Sequence, residues 1–124
     1  MKYKLVQKVN PNDVQSPKKW YALPVNNGLV SVEEMAQLIA LRSSLTPGDV
    51  YNVIYNLYDA IPEYIEEGRS VSLGVLGKMR GSFSSKGIDD PKKYNTRLIT
   101  KKRIIFTPGV AIKKRLKIMK VEKE

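Results

Sequence analysis

The 124-residue sequence contains no cysteine and no histidine. The first absence excludes a disulfide framework, a thiolate nucleophile and a cysteine-ligated metal. The second removes the usual acid–base residue at neutral pH and the commonest metal ligand. Aromatic residues are 8% of the chain, with one tryptophan and two phenylalanines. No apolar run approaches the roughly 18 residues of a membrane span. The start, Met1-Lys2-Tyr3-Lys4, lacks the apolar core and cleavage site of a signal peptide. The expectation is a soluble, cytoplasmic, non-enzymatic protein with no cofactor, no metal and no small-molecule substrate.

What the chain does have is positive charge, unevenly spread. Net charge is +10. Residues 1–30 hold five lysines against one aspartate. Residues 31–68 hold one arginine against seven acids, and residues 69–124 hold sixteen bases against four acids. An acidic middle before a strongly basic C-terminal half points to a body and a polyanion-binding face. The bland reading is a solvated basic surface without a partner. The 42% hydrophobic content allows a modest core that a partner subunit would help to complete.

Local patterns divide the chain into strands and helices. Residues 3–9 and Trp20 to Val25 read as two strands around a turn-forming loop at 10–19, an N-terminal hairpin closed by Asn26-Asn27-Gly28. Ser31-Val32-Glu33-Glu34 predicts a helix start with a capping box, and Val30 and Met35 fit a hydrophobic staple. Thr46-Pro47-Gly48-Asp49 starts a second helix with Thr46 as N-cap and Pro47 at N1. Pro62 should bend that helix or make it irregular, and Gly68 should end it. The second helix has no base before Arg69, so it suits packing better than reading DNA. Its wide stripe of Val, Ile, Leu and Tyr suggests dimerisation. Ser70–Leu73 and Lys78–Ser84 alternate as strands, and Gly74 and Gly77 suggest a bulge or tight bend between them. Leu98 to Phe106 returns as a strand, making 78–106 a long cationic hairpin. Thr107 as cap and Pro108 at N1 predict a final helix, with Phe106 anchored in the core.

The order helix, helix, strand, cationic hairpin and terminal helix resembles the HU/integration-host-factor family of bacterial histone-like DNA-binding proteins. The paired helix starts, Val71-Ser72-Leu73-Gly74-Val75-Leu76-Gly77, and Phe106-Thr107-Pro108-Gly109 carry the resemblance over about residues 31–118. The residues before them are similar to the N-terminal extension of a longer branch. The resemblance implies an α+β fold: an HU-like intertwined homodimer with a helical body, a β-sheet and a protruding β-arm, plus a β-hairpin extension. The expected division is an extension over 1–30 and a DNA-binding domain over 31–124, with the arm at about 78–106. It implies a nucleoid-associated, architectural protein that binds double-stranded DNA with little sequence preference and bends it. The alternatives are a scaffold or protein-interaction module with weakened bending, and an RNA-binding protein.

The candidate DNA-binding residues are Lys78, Arg80, Lys86, Lys92, Lys93, Arg97, Lys101 and Arg103 on the arm, with Lys113, Lys114 and Lys117 on the last helix. Each base that neutralises a phosphate releases counterions. Strand alternation would put Lys78 beside Arg80 on one face, and Lys101 beside Arg103. Family arms carry a wedge, usually proline, near the tip. Here Pro91 and Ile88 are the candidates for intercalation, and Asp90-Pro91 reads more readily as the cap and first residue of a local turn. The family's frequent lysines near the final helix are Thr107 and Val110 here. Trp20 and Tyr21 beside Lys18-Lys19 read as packing residues of the hairpin, with base stacking as the alternative.

Overall fold

The computed structural model describes residues 1–124. The chain divides into two units, one formed by residues 1–30 with 115–124 and the other by residues 31–114.

In the first unit, β1 (Lys2–Lys8) pairs antiparallel with β2 (Lys19–Pro24), from Tyr3 opposite Pro24 to Lys8 opposite Lys19. The turn-rich loop between them is tied by its own Asn and Asp groups, with Asn12 N–H donating to Asn10 Oδ1 and Gln15 N–H to Asp13 Oδ1. A short strand, β6 (Glu122–Lys123), lies parallel to β1 on the edge away from β2. The N-terminal ammonium donates to the Lys120 carbonyl, so the two chain ends are adjacent. The sequence patterns did not indicate β6. A two-residue strand has no period to detect, and only its long-range pairing defines it.

In the second unit, α1 (Val32–Leu41) follows the Ser31 cap, whose Oγ accepts from Glu34 N–H at 3.1 Å. The reciprocal half of that expected capping box is absent. It is complete at α2 (Pro47–Glu66), where Thr46 Oγ1 accepts from Asp49 N–H and Asp49 Oδ2 accepts from Thr46 N–H. Pro62 sits inside α2, which continues as a helix to Glu66, so of the bend or irregularity expected there the irregularity is not found. A proline forfeits one backbone donor, and the short segment after it is held by the helix end. There Gly68 takes φ +82°, its N–H donates to the Ile65 carbonyl, and Arg69 N–H donates to the Tyr64 carbonyl.

The second sheet has the order β3-β4-β5: β3 (Val71–Ser72), β4 (Gly77–Ser85) and β5 (Ile99–Pro108), all antiparallel. Between β3 and β4 the chain makes a single 3₁₀ turn at Gly74–Leu76. The last helix, α3, spans Val110–Lys117, and the unit boundary falls inside it. Thr107 and Pro108 are therefore not its cap and first residue. They end β5, paired with Lys78 and Gly77. Pro108 can close a strand because its missing N–H is needed least at a strand end.

Very little of this chain is buried. Ala36 and Val50, on α1 and α2, are the only buried side chains. Phe106, expected in the core, is half exposed. The accessible surface is 11178 Å², whereas a folded monomer of this mass exposes about 6,700 Å².

Candidate nucleic-acid interface

The stretch expected as the arm contains the antiparallel β4–β5 pair, whose register assigns its faces. Lys78 stands opposite Thr107, Arg80 opposite Ile105 and Ser82 opposite Arg103, so Lys78, Arg80 and Arg103 share one face. The next pair is Ser84 with Thr100. Lys101 and Lys102 together thus oppose Phe83, forming a bulge, and Lys101 takes φ +51°. The bulge breaks the two-residue alternation, so the expected shared face of Lys101 and Arg103 is not formed. Arg103 instead donates from Nη1 to Ser84 Oγ at 3.1 Å and to the Lys101 carbonyl at 3.4 Å. These bonds fix the guanidinium beside the bulge.

Past Ser85 the arm is not an open loop. Lys86 N–H donates to the Leu98 carbonyl, and the Ser85 and Tyr94 hydroxyls are hydrogen-bonded to each other. Asp90 caps the 3₁₀ turn Pro91–Lys93, with Oδ1 accepting from Lys92 N–H. A second turn, Thr96–Leu98, is capped by Asn95. Pro91 is thus the first residue of a local turn, and Ile88 is exposed just before it. Lys86, Lys92, Lys93 and Arg97 surround this folded tip, all exposed.

All eleven candidate bases are exposed, and none has a carboxylate partner. The one ion pair in the chain joins Arg69 to Glu67 at 3.5 Å, with the Arg69 guanidinium also 5.1 Å from the Tyr64 ring centre. Lys113 and Lys117 are one helical turn apart on α3, with Lys114 beside them.

At the base of the arm, a groove of about 920 Å³ opens between the end of α2 and the β4–β5 ribbon. Ile65, Phe83 and Ile104 give it apolar walls, and Arg69, Arg80, Lys102 and Arg103 line it with four cations against one acid, Glu66. Arg69 and Lys102 were not among the candidate bases. Arg69 lies in sequence next to an acidic helix end, and only folding brings it to the ribbon. No group of three or more acidic side chains is placed to hold a metal. No helix is long and apolar enough to cross a membrane.

Residues 1–123 match the family HU-HIG, described as an HU domain fused to wHTH, Ig or glycine-rich motif. No curated protein matches the sequence. Among solved structures, a crystal structure of a proposed bacterial DNA-binding protein from Bacteroides vulgatus ATCC 8482 is similar, with a TM-score of 0.62 at 15% identity. The match covers 98% of this chain and 47% of that one, so this chain spans about half the length of that protein.

Proposed function

The chain belongs to the HU-HIG family, and from that premise we propose that it is a homodimeric DNA-binding protein, acting as an architectural binder rather than a catalyst. The observation that carries this reading is the state of its cations. Eleven candidate bases on the arm and α3 are exposed and free of carboxylate partners, while the chain's single ion pair lies elsewhere. Unpaired bases along a two-stranded ribbon suit a line of phosphates. The similar structure's description as a proposed DNA-binding protein agrees with this reading.

The contacts are mainly to the phosphate backbone, so sequence preference is low. Lys78, Arg80 and Arg103 form the central stripe, Lys86, Lys92, Lys93 and Arg97 continue it toward the tip, and Lys101 adds a cation at the bulge, off that face. Lys113, Lys114 and Lys117 supply further cations from α3. Ile88, exposed before the capped turn, is the better wedge; Pro91 is already used to start that turn. The dimer rests on the shortage of burial: the apolar faces of α1 and α2 need a covering surface, and a second copy supplies one.

A second reading, a scaffold that binds DNA without bending it, draws on Asp89 and Asp90 at the tip, which repel phosphates. Binding of the full chain to duplex DNA over a salt series tests the main reading. Affinity should fall steeply with salt. Absent or salt-insensitive binding overturns it, and binding without a change in end-to-end distance of a dye-labelled duplex favours the scaffold.

A further inference from the structure

We infer that the outer edge of β4, beside the end of α2, is a docking site for an extended acidic peptide, which adds there as a strand. The inference rests on the structure of residues 65–104 and requires no DNA binding by them. Three observations converge on that edge.

The first is a sheet edge left open by a helix cap. β4 is nine residues long, and β3 pairs with only two of them, Lys78 and Met79. Leu73 N–H donates to the Gly77 carbonyl, so the odd-numbered residues of β4 point their backbone groups toward the β3 side. Just past β4, Lys86 N–H donates to the Leu98 carbonyl, so the even-numbered ones point toward β5. Continuing β3 backward would bring Arg69 opposite Gly81, but Arg69 N–H is held by the Tyr64 carbonyl at the end of α2. The chain therefore leaves the sheet there. Gly81, Phe83 and Ser85 aim N–H and C=O groups at an edge with no strand on it. Such an edge is a ready template for pairing.

The second is a groove along that same edge. A Cβ on Gly81 would meet Ile65 Cγ2, so the face of Gly81 and Phe83 is the one turned to α2. Ile104, opposite Gly81, shares it. Ile65, Phe83 and Ile104 wall the groove of about 920 Å³. Phe83 is 58% exposed. Apolar side chains thus lie open beside the unpaired backbone groups.

The third is charge. Arg69, Arg80, Lys102 and Arg103 line the groove against one acid, Glu66, and of the four only Arg69 has a carboxylate partner, Glu67. Arg80 and Arg103 belong to the face opposite Phe83. An added strand alternating apolar and acidic residues would lay its apolar side chains against Phe83 and Ile65. Its carboxylates would then fall on the side of Arg80 and Arg103. Phosphates accept hydrogen bonds and donate none, so nucleic acid would leave the Gly81 and Phe83 carbonyls unpaired. A second copy added antiparallel along this edge and centred on Phe83 would set Arg80 against Lys86, cation against cation.

The full-length protein is titrated with a dye-labelled seven-residue peptide alternating valine and glutamate, and binding is read by fluorescence anisotropy. Binding should saturate. Only one alternate set of peptide amides can face β4, so methylating the valine nitrogens and methylating the glutamate nitrogens should have unequal effects. One of the two should weaken binding at least about fivefold for each hydrogen bond removed, and the other should leave it nearly unchanged. A peptide alternating serine and glutamate carries the same charge and should bind more weakly, because it brings no apolar face to Phe83. Phe83→Ser, which alters no charge, should weaken the valine–glutamate peptide while duplex-DNA affinity holds. Absent or unsaturable binding overturns the inference. Equal effects of the two methylations, or equal affinity for the serine–glutamate peptide, also overturn it by reducing the contact to charge attraction. Duplex binding measured on the same protein keeps the two readings apart: a protein that takes the peptide as a strand but binds no duplex retains the docking site and loses the proposed DNA-binding role.

Discussion

Gly77 and Thr107 approach so closely that a Cβ on Gly77 would collide with the Thr107 carbonyl oxygen. Gly77 also takes φ +140°, which side-chain-bearing residues rarely adopt. One register further, Gly109 N–H donates to the Leu76 carbonyl at 2.9 Å, and a Cβ on Gly109 would meet the Val75 carbonyl. The two glycines lock the end of β5 against the turn that starts β4. Gly77→Ala should therefore lower unfolding free energy by about 2 kcal/mol or more. Gly87→Ala, where a Cβ meets open space, should be neutral within about 0.5 kcal/mol. Denaturant melts of the two variants compare a collision with its absence; equal stability would show that the β4–β5 junction relaxes freely.

A second expectation concerns pH. The Tyr51 hydroxyl pairs with the Glu33 carboxylate across α1 and α2, which holds Glu33 below the ordinary carboxylate range. The same hydrogen bond, then desolvation and the Glu33 charge, push Tyr51 up to about 12. Glu33's contribution is present above its unfolded value of about 4.3 and is lost as pH falls through its lowered folded value. Tyr51's contribution is present below its unfolded value of about 10 and is lost as pH rises through about 12. The stability gap between the wild type and Tyr51→Phe should thus be flat near neutrality and shrink at both extremes. A gap independent of pH would dissolve the pair.

Local signals proved the most legible. Ser31, Thr46 with Asp49, and Gly68 act on backbone groups within four residues, so their patterns specify helix ends without knowledge of the rest of the chain. Signals that depend on distant pairing read differently. Thr107-Pro108 has the form of a helix start, yet pairing with Gly77 and Lys78 makes it a strand end. Strand alternation would put Lys101 and Arg103 on one face, yet a bulge against Phe83 sets the true faces. Arg69 joins the cations of the groove only through contact between elements far apart in sequence, and strict strand alternation would turn Lys102 away from Lys101 and Arg103. Phe106 reads as a core residue, and in this chain it stays half exposed beside the glycine lock.

The exposure of the helices leads to a third prediction. Leu41 is 85% exposed and Tyr58 is 72% exposed, and apolar residues at Leu38, Val53 and Leu57 are also open. If a second copy covers these faces, folding and association are linked, and the unfolding midpoint should rise with protein concentration. Sedimentation should report the mass of two chains, and Val53→Asp should lower that mass or the midpoint. A single-chain mass with a concentration-independent midpoint would exclude the homodimer.

The arm supports the fourth. Arg80 and Arg103 share a face with Lys78, and Arg103 is braced by Ser84. Replacing either arginine with alanine should weaken duplex binding. The slope of log affinity against log salt should also become shallower, by about 0.9 for each phosphate that is no longer neutralised. The tip acids should act in the opposite direction. Asp89→Asn and Asp90→Asn remove charge, and asparagine at 90 can still accept the Lys92 N–H that Asp90 accepts now. If the tip reaches DNA, this pair should tighten binding, and Ile88→Ala should reduce bending with little loss of affinity. Unchanged affinity in the asparagine variant, together with weakened binding in the arginine variants, would place DNA on the central ribbon and leave the folded tip clear of it.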